Sequence, residues 1–221
     1  MAGRATPVTV AIVNDYELVV AGVAALLAPY GDRITVVELD SKLPVRSDVD
    51  VVLYDTFGQA QGPLLDLDAL VADGSAKVVI FSWNLQPDLV ETSLAMGASG
   101  YVSKGVPAET LVAAIEDVHA GKLVLPEAES APVVEDETSY PGRDTGLTGR
   151  EAEIVALITQ GLSNQEIADR SYLSINSVKT YIRTAYAKMG VTRRSQAVLW
   201  GIQHGMQPDV MRSVNTINNR D

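Results

Sequence analysis

Over the first 120 residues, short apolar runs rich in β-branched residues alternate with stretches of helical period. Val8–Asn14, Ile34–Glu38, Asp50–Asp55, Lys77–Ser82 and Gly100–Ser103 read as five strands. Between and after them, Tyr16–Pro29, Leu64–Val71, Pro87–Met96 and Pro107–Ala120 read as helices, with Pro87 suited to a first helical position. The strands are apolar throughout and not half polar, so both of their faces are expected to be covered. That pattern predicts a doubly wound α/β fold, a five-stranded parallel sheet with helices on each side. In such sheets the site lies beyond the carboxyl ends of the strands. Those ends carry Asn14 and Asp15, Asp55, Ser82 and, after the fifth strand, Lys104, a polar set from four strands found by topology alone.

The pattern changes twice further on. Residues 121–146 mix five glutamate and aspartate side chains with Pro126, Pro132 and Pro141 before Asp144, and read as an acidic flexible linker. After it come closely spaced helix starts. Thr148-Gly-Arg-Glu151 and Ser163-Asn-Gln-Glu166 match the capping box, in which a hydroxyl and a glutamate three residues on satisfy each other's backbone donors. Ser174 caps a third helix running to about Met189, Gly161 and Gly190 stop the first and third, and Thr192 or Arg193 opens a fourth. Residues 206–221 are polar and patternless, a frayed tail. The domains expected are therefore 1–120, a linker over 121–146, a small all-α domain over 147–205, and the tail.

Charge sharpens this division. The chain of 221 residues carries a net −11, but residues 1–120 hold −10, 121–146 hold −4 and 147–221 hold +3. An acidic front and a basic back suggest a nucleic-acid module behind a domain of another kind. There is no cysteine and there are only two histidines, which excludes disulfides, thiolate metal sites and a cysteine nucleophile. The longest apolar run, Leu18–Ala28, is far short of the ~20 residues of a membrane span, and the first strand begins without a secretory leader ahead of it. A cytoplasmic location and no membrane partner are expected. No glycine-rich phosphate loop, histidine base or nucleophile elbow is present, so an enzyme is not expected.

The back third resembles the LuxR-type helix-turn-helix, through Leu147-Thr-Gly-Arg-Glu-Ala-Glu-Ile-Val, Gly161-Leu-Ser-Asn-Gln-Glu-Ile-Ala, Leu173-Ser-Ile-Asn-Ser-Val-Lys-Thr-Tyr-Ile and Lys188-Met-Gly-Val. The front resembles a response-regulator receiver domain of flavodoxin-like fold, and together they resemble the NarL/FixJ family. The resemblance implies a two-component transcription regulator, with Asp55 as phosphoacceptor, Ser82 and Lys104 stabilising the phosphoryl group, and Ser82 with Tyr101 as the switch. It also implies a weak Mg²⁺ site formed by Asp15, Asp55 and the backbone carbonyl of Phe57, with Asn14 acting through a water. Partners implied are double-stranded DNA, a sensor histidine kinase and a second copy of the chain in a homodimer.

Three positions depart from the family's pattern. Asn14 stands in a usual pair of acids, Asp55-Thr-Phe-Gly-Gln lacks a proline, and Trp83 follows Ser82 where a small residue is usual. They leave open a phosphorylation-independent regulator whose receiver binds a ligand or partner, with the pocket holding only structural contacts. The third helix of the back domain carries two distinct stripes. Val178, Ile182, Ala185, Tyr186 and Met189 form its buried stripe, and Asn176, Lys179, Thr180, Arg183 and Ala187 the opposite one. Such a helix places its N-terminal half in the major groove, where Lys179 and Arg183 reach guanine edges and Thr180 a thymine methyl. Asn176, Ser177 and Tyr181 are expected on phosphates, with Lys188, Arg193 and Arg194 as a positive rim.

Overall fold

The structure is a computed structural model that describes residues 6–40, 45, 48–67, 70–71, 76–126, 140–208 and 212–214. Five parallel strands form the sheet as predicted: β1 (Val8–Val13), β2 (Ile34–Asp40), β3 (Val51–Asp55), β4 (Lys77–Ser82) and β5 (Gly100–Ser103). Their spatial order, β5-β4-β3-β1-β2, puts the reversal of winding at the carboxyl ends of β1 and β3. Alternate residues of each strand serve opposite faces. Val10, Ile12, Val51 and Leu53 pack under helices α1 (Glu17–Leu27) and α3 (Ala108–His119), through Val20, Val23, Leu27, Leu111 and Ile115. Ala11, Val13, Val52 and Tyr54 face the other way, toward Leu89 and Val90 of α2 (Pro87–Ala95).

That second face is the thinner one. The helix expected over Leu64–Val71 is not formed among the described residues, and a short 3₁₀ turn, Gly62–Leu64, stands in its place. Pro63 at its start and the β-bridge between Val45 and Val71 explain the difference, and Leu65, Leu67, Leu70 and Val71 pack against the second face of the sheet. The linker expected over 121–146 falls partly outside the described residues, at 127–139. Its two ends are built into the fold. The Tyr101 amide donates to the Val124 carbonyl at 2.9 Å, and buried Tyr140 donates its hydroxyl to the Leu147 carbonyl at 3.1 Å.

The back domain has helices α4 (Gly149–Thr159), α5 (Asn164–Arg170), α6 (Ile175–Met189) and α7 (Arg194–Gln203). Both capping boxes form as the sequence predicts, Ser174 caps α6, and Gly190 ends it with a φ of 69°, a left-handed turn that suits glycine. The tail departs from expectation. Arg212–Val214 form β6, antiparallel to the end of β2, so the chain's last described residues add a sixth strand at the sheet edge. No side-chain period marks so short a strand, because an edge strand is specified by the open ladder it meets.

Candidate functional site

The carboxyl ends of β1, β3, β4 and β5 converge on Asp55. Its side chain is 1% exposed, and Lys104, 3% exposed, reaches Oδ1 with Nζ at 2.5 Å. The backbone amide of Phe57 donates to the same oxygen at 2.8 Å. Asn14 is buried beside them. Its Nδ2 donates to the Asp55 carbonyl at 2.9 Å, to the Phe57 carbonyl at 2.9 Å and to Asp55 Oδ1 at 3.3 Å. Ser82 sits at the end of β4 without a bond to the carboxylate. Its hydroxyl accepts from Thr56 Oγ1 at 2.9 Å and from the Asn84 amide at 3.0 Å. Tyr101 is turned inward and gives its proton to the Asn84 carbonyl at 2.5 Å. Burial pushes that phenol up to about 12, which keeps it a donor at neutral pH.

The mouth of this pocket is closed by the back domain. Helix α4 lies over it, and Gln160 donates to Tyr16 Oη at 2.8 Å and to the Gly58 carbonyl at 3.2 Å. Two turns earlier, fully buried Glu153 accepts from Gln61 Nε2 at 3.1 Å and from Arg150 at 2.6 Å. Loss of hydration raises the Glu153 carboxyl above its usual range, with Arg150 and Lys104 pulling the other way. Gly149 lets the two domains approach: a Cβ there would lie 2.4 Å from Trp83 Cε2. Trp83 is held between that glycine and Tyr140, whose rings meet edge to face at 6.1 Å. Tyr16, Val19 and Phe57 of the front domain share one apolar cluster with Tyr140, Leu147, Ala152, Val155, Ala156 and Met206. Farther along, the Gln61 amide donates to the Arg170 carbonyl at 2.9 Å and Asn84 Nδ2 to the Ser171 carbonyl at 3.1 Å.

The third helix of the back domain, α6, presents the stripe that its sequence predicts. Val178 and Ala185 are buried, with Ile182, Tyr186 and Met189 packed beside them, while Asn176, Lys179, Thr180, Arg183 and Ala187 are exposed. Ser177 closes the cap by donating its amide to Ser174 Oγ at 3.0 Å. Tyr181 is half-buried, with its ring packed against the apolar cluster of the helical domain. In the rim, Lys188 is paired with Glu151 at 2.6 Å and Arg194 with the Asn164 side chain at 3.1 Å, whereas Arg193 is exposed.

The family described as bacterial regulatory proteins of the luxR family matches residues 145–200, from just before α4 into α7. The nitrate/nitrite response regulator NarL of Escherichia coli is 32% identical over 205 residues, covering 88% of this chain and 94% of the relative. NarP of the same organism is 32% identical over 212 residues, 90% of this chain and 97% of the relative. The chain is a NarL/LuxR-family response regulator. A solved response regulator of a heme-sensing two-component system, ChrA, is 27% identical, covering 91% of this chain and 99% of that one, with a TM-score of 0.43. Members of this family are DNA-binding transcription factors of two-component systems and not enzymes. No helix among the described residues is long and apolar enough to cross a membrane.

For a response regulator the polar set drawn from the strand ends lies at one end of the sheet, with Asp55 and Lys104 in contact. Lys104 meets Asp55 directly, whereas Ser82 belongs to a network with Thr56 and Asn84 that the sequence reading missed. Asn14 touches the Phe57 carbonyl itself. Receiver domains of this family typically use Mg²⁺, and the Asp55 carboxylate and the Phe57 carbonyl beside it are hard oxygen donors of the kind it takes. The carbonyl is already engaged, however. The residues that close the pocket, Gly149, Glu153 and Gln160, were also missed. Their signal lay in α4, where Ala152-Glu-Ile-Val-Ala-Leu-Ile158 is buried on every side, as a helix packed between two bodies must be.

Proposed function

We propose that this chain regulates transcription by reading double-stranded DNA with the exposed face of α6, under control of phosphorylation at Asp55. A sensor histidine kinase would supply the phosphoryl group. The N–P bond of its phosphohistidine breaks as an Asp55 Oδ–P bond forms, and the histidine nitrogen regains its lone pair. Lys104 would move from the carboxylate to a phosphoryl oxygen. Mg²⁺, held by Asp15, Asp55 and the Phe57 carbonyl, would supply neutralising charge, and its binding is weak because Asn14 must first leave that carbonyl. Ser82 and Tyr101 serve as the switch, through the Asn84 backbone that both of them touch. Homodimers in the cytoplasm would place two α6 helices on two half-sites.

The observation that carries this reading is the packing of α4 over Asp55. Chemistry at the carboxylate and freedom of the DNA-binding domain then share one interface. Phosphorylation turns the singly charged Asp55 carboxylate into an acyl phosphate of about two negative charges, a net gain of about one, and adds three strong acceptor oxygens. The phosphoryl group would arrive under Trp83 and Tyr140 and near the buried Glu153 carboxylate, which disfavours the closed arrangement. The closed form weakens DNA binding without covering the recognition stripe. Gln61 and Asn84 hold the α5–α6 turn, so the front domain, net −10, stands at the N-terminal end of α6 that would enter the groove.

The test is DNA affinity measured on a duplex selected in vitro with the full chain, before and after acetyl phosphate. Affinity should rise severalfold for the natural chain, with loss of hydrogen-exchange protection across α4, and should stay fixed for Asp55→Asn. Equal gains in both proteins, or none in either, would remove Asp55 from the mechanism.

A further inference from the structure

The position of Asn14 has a chemical consequence of its own. Its Nδ2 faces three oxygens at once, the carbonyls of Asp55 and Phe57 and the Asp55 carboxylate. Its other end is fixed, because Oδ1 accepts the Tyr16 amide at 2.9 Å. Reversing the carboxamide would set an oxygen against three oxygens and an NH₂ against an N–H, so the orientation is determined by its partners. A cluster of oxygens closing on one point is the environment a hard cation seeks. Here that point holds the positive end of an amide dipole, 1% exposed, and Lys104 brings a full charge to Asp55 Oδ1.

We propose that the Asn14 carboxamide is a tethered occupant of the cation position, which holds the acid pocket together without metal and competes with Mg²⁺ for the Phe57 carbonyl. This rests on the reading of the strand-end residues as a receiver pocket. It differs from a simple shortage of negative charge. In a charge-poor site an uncharged residue at position 14 would bind Mg²⁺ weakly whatever its shape. In an occupied site the shape decides, because Mg²⁺ must remove two good buried hydrogen bonds before it gains one ligand. An aspartate at position 14 would also reverse the pocket's dependence. Its carboxylate would face the three oxygens and need a cation between them.

The experiment uses the full chain with no phosphodonor: calorimetric titration with MgCl₂ at constant ionic strength, and thermal unfolding with and without the ion. Relative to the natural chain, Asn14→Ala should bind Mg²⁺ at least threefold more tightly, although it adds no charge. Asn14→Asp should bind at least tenfold more tightly, melt lower than the natural chain without Mg²⁺, and recover when it is added, as mass action requires. The natural chain should melt at the same temperature in both conditions. Asn14→Ala binding as weakly as the natural chain, or a natural chain stabilised by Mg²⁺ as strongly as Asn14→Asp, would overturn the proposal. If Asp55 were not a phosphoacceptor, mass labelling would fail while these titrations kept their order, so the two ideas fail separately.

Discussion

Replacing Gly149 by leucine should speed labelling of Asp55 by acetyl phosphate about tenfold. The glycine hydrogen already faces the Trp83 ring, and even a Cβ would lie 2.4 Å from Cε2, 2.5 Å from Nε1 and 2.8 Å from Cζ2. A tryptophan ring packed against Tyr140 cannot retreat by that much without opening the contact. Overpacking of this kind costs about 1–3 kcal/mol, and about 1.4 kcal/mol is a tenfold change in an open–closed equilibrium. Leucine is also a better helix former than glycine, so α4 itself should not suffer. Intact mass measured over time reads the rate, with Asp55→Asn as the blank and far-ultraviolet circular dichroism as the check on folding. Trp83→Ala in the Gly149→Leu background should restore part of the closure, because the ring and the new side chain contend for one space. If Gly149→Leu labels at the natural rate, α4 does not limit access to Asp55.

Much of this arrangement was legible in the chain. The β-branched runs fixed the sheet because strands buried on two faces admit little else, and the strand ends then delivered Asn14, Asp15, Asp55, Ser82 and Lys104 to one place. Caps at Thr148, Ser163 and Ser174 were readable because capping is a local exchange between residues three apart. The contacts that close the pocket were not readable in that way. Gln160 meets Tyr16 across 144 residues, and Gln61 meets Glu153 across 92, with no period to announce either. Trp83 looked anomalous beside Ser82 until Gly149 supplied the space that receives it. The Leu64–Val71 segment carried enough apolar residues for a helix, but Pro63 and the bridge to Val45 hold its neighbourhood in another form.

Changing Lys179 or Arg183 to alanine should each cost about 1–3 kcal/mol against a selected duplex and relax preference at one base position. Both are exposed on the same side of α6, one turn apart, and neither is held in an ion pair among the described residues, so both are free to meet base edges. Arg193→Ala should behave differently. It lies at the start of α7, off that stripe, so its loss should weaken all duplexes alike and reduce the salt slope by about one. Lys188→Ala carries a further effect, since its ammonium is paired with Glu151 of the first capping box. That pair holds the Glu151 carboxyl below its usual range, helped by the Thr148 amide and opposed by burial. A depressed acid contributes stability above its unfolded pKa, and loses it as pH falls through the folded value. The helical domain should therefore lose stability on acidification below about pH 4, the ordinary glutamate range, and Lys188→Ala should lower its stability at neutral pH and flatten that acid loss, because the pair that depresses the carboxyl is gone. Binding isotherms at several salt concentrations separate the three roles. A Lys179→Ala chain with unchanged affinity and unchanged base preference would show that another face of the domain meets DNA.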